Sequence, residues 1–430
     1  MIPAARLSAA IEVLADIEAR RRPAADALKD WGLAHRFAGS GDRAAIAGLV
    51  YDALRRKASA AWLMGEAAPR AVLLGMLRLE RGLDLDAIEK LADGSRFAPA
   101  PLSDAERARL RDGTLEGAPA HVAGDYPEWL DGPLARVFGE ARAEEGAALA
   151  RRAPLDLRVN TLKADRDKTA EALAHLNAAP TRWSPVGLRI TLAPDAKNVA
   201  IHSEPAFLTG LIEVQDEGSQ LAALLTGVKP GEQVIDLCAG AGGKTLALAA
   251  LMKNRGQIYA TDLDKRRLAP IHKRLERAGA RNVQVHTPRG KEDLLADRHG
   301  QADLVLIDAP CTGTGTWRRN PDAKWRTRPG ALDVRAKEQA AVLDRAAALV
   351  KPGGRIAYVT CSVLAEENAD QVRGFLARHA EFAPTRELLA PLGERALVFR
   401  QAVLLAEEGV QMTPRRTETD GFFVSVLVRR

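Results

Sequence analysis

Asp236-Leu237-Cys238-Ala239-Gly240-Ala241-Gly242-Gly243-Lys244-Thr245 is the stretch on which the fold of this 430-residue chain turns. It follows an apolar run, Gln233 to Leu237, and opens a helical one, so its glycines stand where the backbone must turn tightly and approach a ligand. A P-loop would need glycine at the position of Cys238, which leaves Gly243-Lys244-Thr245 a near miss for a nucleoside triphosphatase. A nicotinamide fingerprint starting at Gly240 and Gly242 would need glycine or alanine at the position of Thr245. A tight turn without a ligand is the plainer alternative.

Working outward, the chain after Val214 alternates strands and helices. Gln233 to Leu237, Gln257 to Thr261, Val283 to His286, Ala302 to Ile307 and Arg355 to Thr360 are near-continuous apolar strands, which predicts a parallel sheet covered on both faces. The second strand ends Ala260-Thr261-Asp262, where an acidic side chain can accept both hydroxyls of a ribose; a cap on the following helix is the lesser alternative for Asp262. Asp308-Ala309-Pro310-Cys311 closes the fourth strand and Thr360-Cys361-Ser362 the fifth. Ligands of open parallel sheets bind beyond the carboxyl ends of the strands, so both thiols are expected in one crevice with the glycine loop. One cysteine is usually packing; two at adjacent strand ends point to chemistry.

Before this region, residues 154 to 200 read as short strands around one helix, with Leu155 to Leu162 the clearest strand and Thr169 to Asn177 the helix. Residues 5 to 94 read as helices, with Leu7, Ile11, Leu14 and Ile17 on one face and Ile46, Leu49, Val50 and Leu54 repeating the pattern. An Ala-Pro-Ala-Pro loop and a short charged helix follow. The expected domains are therefore 1–145, all helical; 146–212, a small α+β module; and 213–430, the strand-helix alternation.

Composition, 47% apolar and 27% charged, is globular and excludes a disordered or fibrous chain. Three cysteines and eight histidines show no zinc spacing and no disulfide framework, so a reducing compartment and no metal site are expected. Glu12 and Asp16 interrupt any signal-peptide core and no uncharged apolar run approaches the ~20 residues of a membrane span, which predicts a cytoplasmic protein with no membrane partner. Residues 1–150 carry 20 basic against 23 acidic side chains, so the net charge of +6 belongs to the remainder. The stretch Trp317, Arg318, Arg319, Lys324, Trp325 and Arg326, basic with interleaved aromatics, is suited to RNA phosphates and stacked bases; a solvated loop is the plainer alternative.

Together these segments resemble the RsmB/Sun (NOL/NOP/Sun) family of RNA cytosine-5 methyltransferases. The resemblance is carried by Arg158-Val159-Asn160, Val214-Gln215-Asp216, the glycine loop, Asp308-Ala309-Pro310-Cys311, Arg318-Arg319-Asn320-Pro321-Asp322 with Trp325, Thr360-Cys361-Ser362 with Glu366-Glu367-Asn368, and Asp420-Gly421-Phe422-Phe423. It implies a Rossmann-like α/β domain using S-adenosyl-L-methionine, a NusB-like helical domain before it, and an RNA substrate, ribosomal (16S) in most of the family. By resemblance Cys361 is the nucleophile, Cys311 assists breakdown of the covalent adduct and Asp308 holds the cytosine edge. Cys238, Ala239, Gly240, Ala241, Gly242, Gly243, Lys244, Asp262 and Asp308 would hold the cofactor. The chain departs from the family at Gly240-Ala241, where Ala-Pro is usual. It departs again after the third strand, where His286-Thr287-Pro288-Arg289 replaces the acidic adenine contact; Glu292 or Asp293 are candidate substitutes. A monomer is expected. The competing functions are a noncatalytic RNA-binding ribosome-assembly factor, a transfer RNA methyltransferase, and a DNA enzyme attacking through Cys311.

Overall fold

The computed structural model describes residues 1–191, 199–288 and 294–430 and divides into two compact units. The first holds residues 1–152 and also takes in Trp317–Arg328; the second holds 153–316 and 329–430. Among the described residues no helix is long and apolar enough to cross a membrane.

The first unit is helical. Pro3 starts the opening helix, Pro3–Arg20, where a missing N–H costs nothing, and Leu7, Ala10, Leu14 and Ile17 recur at helical spacing to bury one stripe. Ile46, Val50 and Leu54 of helix Ser40–Arg55 and Ala71 to Leu77 of helix Pro69–Leu79 complete the same core. Ser103 and Glu106 form a reciprocal capping box on the charged helix Asp104–Asp112.

The segment Trp317–Arg328 corrects the expectation of an RNA-facing loop. Trp317, Arg318, Asp322 and Lys324 are buried, and Trp325 packs on the helical core. The reason lies in helix ends, whose backbone groups have no partner within the helix. Lys324 donates from Nζ to the carbonyls of Arg55, at the end of Ser40–Arg55, and of Asp125, at 3.0 and 2.6 Å. Trp325 donates from Nε1 to the Leu54 carbonyl, 2.6 Å. Asp322 accepts the first amide of helix Ala24–Ala34 at 3.2 Å, and Arg55 donates to the Arg318 carbonyl at 2.6 Å. The segment is a strap that caps two helices, its Lys324 and Trp325 donors placed at a helix C-terminus and its Asp322 carboxylate at an N-terminus. Of the six expected RNA-contacting residues, Arg326 alone is exposed, to 36%, and it pairs with Asp322.

The second unit carries two sheets. The smaller is antiparallel, in the order β2-β3-β1-β4, with β1 Leu155–Val159, β2 Ala179–Pro180, β3 Gly187–Ile190 and β4 Ile212–Val214; the helix runs Arg166–Ala172, beginning and ending earlier than the expected Thr169 to Asn177, because Asp165 caps it at its start and a 3-10 turn, Ala174–Leu176, follows it. The larger sheet contains β5 Gln233–Asp236, β6 Gln257–Thr261, β7 Val283–His286, β8 Ala302–Asp308 and β9 Val350–Thr360. These five are parallel in the order β9-β8-β5-β6-β7. The wholly parallel expectation is corrected at the other end: β13, Phe422–Arg429, pairs antiparallel with β9, and β10 Phe382–Pro384, β11 Leu404–Ala406 and β12 Gly409–Met412 extend the sheet beyond it, also antiparallel. A strand buried on both faces is apolar throughout whichever way it runs, so the pattern of β13 carried no sign of its direction.

Chain order reverses between β5 and β8. A doubly wound sheet opens a crevice at such a switch point, beyond the carboxyl ends of its strands.

Candidate active site

The glycine loop leaves β5 at the switch point. Asp236 ends the strand, buried, with Oδ2 accepting the Thr245 hydroxyl at 2.7 Å; Oδ1 has no hydrogen-bond partner among the described residues, and burial pushes the carboxyl up to about 7. Gly242 has φ +87°, and a Cβ there would lie 2.6 Å from Ile271 Cγ1, so only glycine fits. At Gly240, φ +49°, a Cβ would meet nothing nearer than Arg267 Nη2 at 3.5 Å and Asp262 Oδ2 at 3.8 Å. That position opens onto polar groups instead of packed core, as a cradle for a ligand must. Helix Gly243–Leu251 begins immediately afterwards.

Asp262 follows β6 and is buried. Its Oδ2 accepts the Gly240 amide and its Oδ1 the Asp264 amide, both at 2.9 Å. The cap of the following helix belongs instead to Asp264, whose side chain accepts the Arg266 amide. Each Asp262 oxygen thus keeps acceptor capacity beside Gly240, as a ribose diol requires. Arg274 supports the loop from below, donating to the Ala241 carbonyl at 2.8 Å and to Glu213 at 3.0 Å.

Lys244, in the first turn of helix Gly243–Leu251, is 7% exposed and pairs with Asp308 at 2.8 Å, with the Phe422 ring 5.0 Å from Nζ. This pair bridges the loop after β5 to the end of β8 and leaves the Asp308 carboxylate 36% exposed. Cys311 and Cys361 meet with their Sγ atoms 3.3 Å apart. The shared hydrogen bond, then burial, raises the Cys311 thiol well above its ordinary range, and Glu367 adds to the effect. Cys238 is also free and half-buried; burial and the nearby carboxylates push its thiol up, which suits a loop residue and not a nucleophile.

The structure therefore gathers Asp236 to Lys244 with Asp262, joins Lys244 to Asp308, and brings the two thiols into contact. Thr261 donates to the His286 carbonyl, fixing the end of β7, and Pro288 is half-buried; Arg289, Glu292 and Asp293 lie outside the described residues. Sequence reasoning missed three supports. Gln339, on helix Pro329–Leu349, and the buried Glu367 both hold the Cys311 loop, and Arg158, fully buried with its pKa lowered by burial to about 10, donates to Gln215 at 2.6 Å. Two of the three, Arg158 and Glu367, stood inside motif segments, but nothing local disclosed their partners.

A glycine loop at the switch point of a doubly wound sheet, an acidic second-strand end and a thiol pair over the fourth and fifth strands define a Rossmann-like methyltransferase whose cofactor is S-adenosylmethionine. The chain belongs to the family of 16S rRNA methyltransferases RsmB/F, whose sequence profile matches residues 223–428; the ferredoxin-like domain of the same family matches residues 126–197. It is 30% identical to the probable ribosomal RNA small subunit methyltransferase B of Synechocystis sp., over 99% of both chains. It is 35% identical to the ribosomal RNA small subunit methyltransferase B of Klebsiella pneumoniae, over 71% of this chain and 66% of that one. Among solved structures, the crystal structure of PH0851 superposes with a TM-score of 0.72 at 27% identity, covering 99% of each chain. The chain is thus an S-adenosylmethionine-dependent rRNA methyltransferase of the RsmB/F family.

Proposed function

We propose that the chain methylates carbon 5 of a cytosine in 16S ribosomal RNA through a covalent adduct on Cys361. The observation that carries this reading is the contact of two thiols at adjacent strand ends, next to the Asp308–Lys244 pair. Carbon 5 of cytosine is a poor nucleophile; a thiolate added at carbon 6 turns the ring into an enamine that can attack an electrophilic methyl group. S-adenosylmethionine supplies that methyl group when bound.

The residues divide the work. Asp262 and the Gly240 turn hold the ribose, and the glycine loop with Lys244 lines the methionine end. Cys361 attacks carbon 6. Asp308, partly exposed with one oxygen on Lys244, accepts from the polar edge of the cytosine. Cys311, which stays a thiol beside Cys361, assists breakdown of the adduct. The target base has to leave its stack to reach a thiol in a crevice, so a loop or single-stranded cytosine is the substrate.

Incubating Cys311→Ala and Cys361→Ala variants with small-subunit RNA and cofactor tests the assignment. A denaturing gel should show a slow protein–RNA band for Cys311→Ala only, and Cys361→Ala should give neither band nor methylation. A band for Cys361→Ala instead would make Cys311 the nucleophile. Wild-type methylation by both variants would end the covalent reading, and bisulfite sequencing of 16S and transfer RNA, with and without the gene, would reveal a different RNA target.

A further inference from the structure

Cys311 sits in a loop, and a loop holds a thiol within 3.3 Å of another only if something fixes its main chain on both sides. Three contacts converge on it. Glu367, buried in the turn Ala365–Glu367, accepts the Thr312 amide on Oε1 at 2.7 Å and the Thr312 hydroxyl on Oε2. Gln339, buried midway along helix Pro329–Leu349, donates from Nε2 to the Pro310 carbonyl at 2.9 Å and to Glu367 Oε1 at 3.2 Å. The residue before Cys311 and the residue after it are therefore gripped by one hydrogen-bonded pair. Tyr358 of β9 donates to the Glu367 carbonyl at 2.6 Å and anchors the grip to the sheet.

Cys361 is held by other groups. Gly315 donates to the Cys361 carbonyl at 2.9 Å, Thr314 and Ser362 share a hydroxyl hydrogen bond at 3.0 Å, and Asn368 donates to the Ser362 carbonyl at 2.9 Å. None of these touches Thr312 or Pro310. Thr314 and Gly315 stand further along the loop that carries Cys311 and tie it to the Cys361 segment, whereas Glu367 and Gln339 fix the main chain immediately on either side of Cys311; the spacing between the thiols depends on both sets.

We propose that Glu367 and Gln339 are positioning residues for Cys311, a clamp that sets the thiol–thiol distance the reaction uses. The kinetic part of this proposal rests on the reading of Cys311 as the residue that assists adduct breakdown; the geometric part does not. A carboxylate is the suitable clamp because it accepts from the Thr312 amide, the Thr312 hydroxyl and the Gln339 amide at once, which a neutral side chain with a single acceptor oxygen does only in part.

The test uses the full-length chain with Glu367→Ala, Glu367→Gln and Gln339→Ala. Oxidised glutathione is added and the Cys311–Cys361 peptide quantified by mass spectrometry: two thiols become one protein disulfide and two glutathione thiols are released. Because displacement of a reacting group by about 1 Å can cost about a hundredfold in rate, Glu367→Ala should slow this bridging at least about tenfold. Gln339→Ala should slow it less, and Glu367→Gln, which keeps one acceptor for the Thr312 amide, should restore most of it. In methylation assays Glu367→Ala should lower kcat with unchanged KM for the cofactor, and accumulate the protein–RNA band. Wild-type bridging in a folded Glu367→Ala variant that still binds cofactor by calorimetry overturns the clamp. Slowed bridging with no band in either Glu367→Ala or Cys311→Ala keeps the clamp and overturns the role given to Cys311. If Glu367→Ala fails to fold, Gln339→Ala decides by the same bridging rate, an unchanged rate overturning the proposal.

Discussion

Replacing Lys324 by methionine should make the strap Trp317–Arg328 lose its dependence on pH. Lys324 is fully buried, and burial, with Arg55 and Arg56 adding to it and Asp125 opposing, lowers its pKa from 10.5 to about 7. A folded pKa below the unfolded one means that the unfolded state binds more protons between the two values, so stability rises with pH across that window. The penalty is fully present below pH 7 and gone above 10.5. At ~1.36 kcal/mol per pKa unit it amounts to roughly 5 kcal/mol, and the two-state titration returns about 2.5 kcal/mol of it between pH 6.5 and pH 9. Hydrogen exchange of peptides covering residues 317–328, corrected for intrinsic rates, reads the opening free energy of the strap in wild type and Lys324→Met. Their difference cancels groups common to both. Asp125 is buried, and its raised carboxyl rises further without Lys324; if it titrates in this window it lowers the stability of the variant as pH rises and changes the difference in the same direction. The stability of wild type relative to Lys324→Met should therefore climb by about 2.5 kcal/mol over the interval. A flat or falling difference would mean that Lys324 keeps its proton across this interval and would refute the burial penalty assigned to it.

Three further outcomes follow from the site and the strap. Asp262→Ala should weaken S-adenosylmethionine binding by about 1–3 kcal/mol in calorimetry, because the ribose loses its acceptor and the Gly240 amide is freed as well; unchanged affinity would put the ribose elsewhere. Pro288→Asp, restoring a carboxylate just past β7, should leave affinity equal or tighter, and a tenfold loss would mean that the adenine edge is met by another geometry. A fragment from residue 146 would carry the strap without the helices that strap caps. It should therefore self-associate in size-exclusion chromatography, and replacing 317–328 by a short Gly/Ser linker should restore a monodisperse, cofactor-binding fragment; equal behaviour of the two fragments would count against the strap's role.

What the sequence determined by itself is local. Gly240 and Gly242 sit in left-handed backbone because no other residue does so cheaply, and the strands Gln257–Thr261 and Val283–His286 fall at the residues where apolar runs begin and end. Chirality and periodicity act over a few residues, so they can be read there, and the order of strands then places Asp308, Cys311 and Cys361 at one edge of the sheet. Tertiary structure decided which distant group completes each polar contact. Lys324, Trp325 and Asp322 look like an RNA-binding loop in sequence, yet they meet Arg55, Leu54 and Ala24, roughly 270 to 300 residues away, because buried helix ends need partners and these side chains supply them. The same holds for Glu367 and Gln339 at Thr312 and Pro310, and for the antiparallel pairing of β13 with β9. Burial takes water away from each of these groups, and which protein atoms replace it depends on how the whole chain packs.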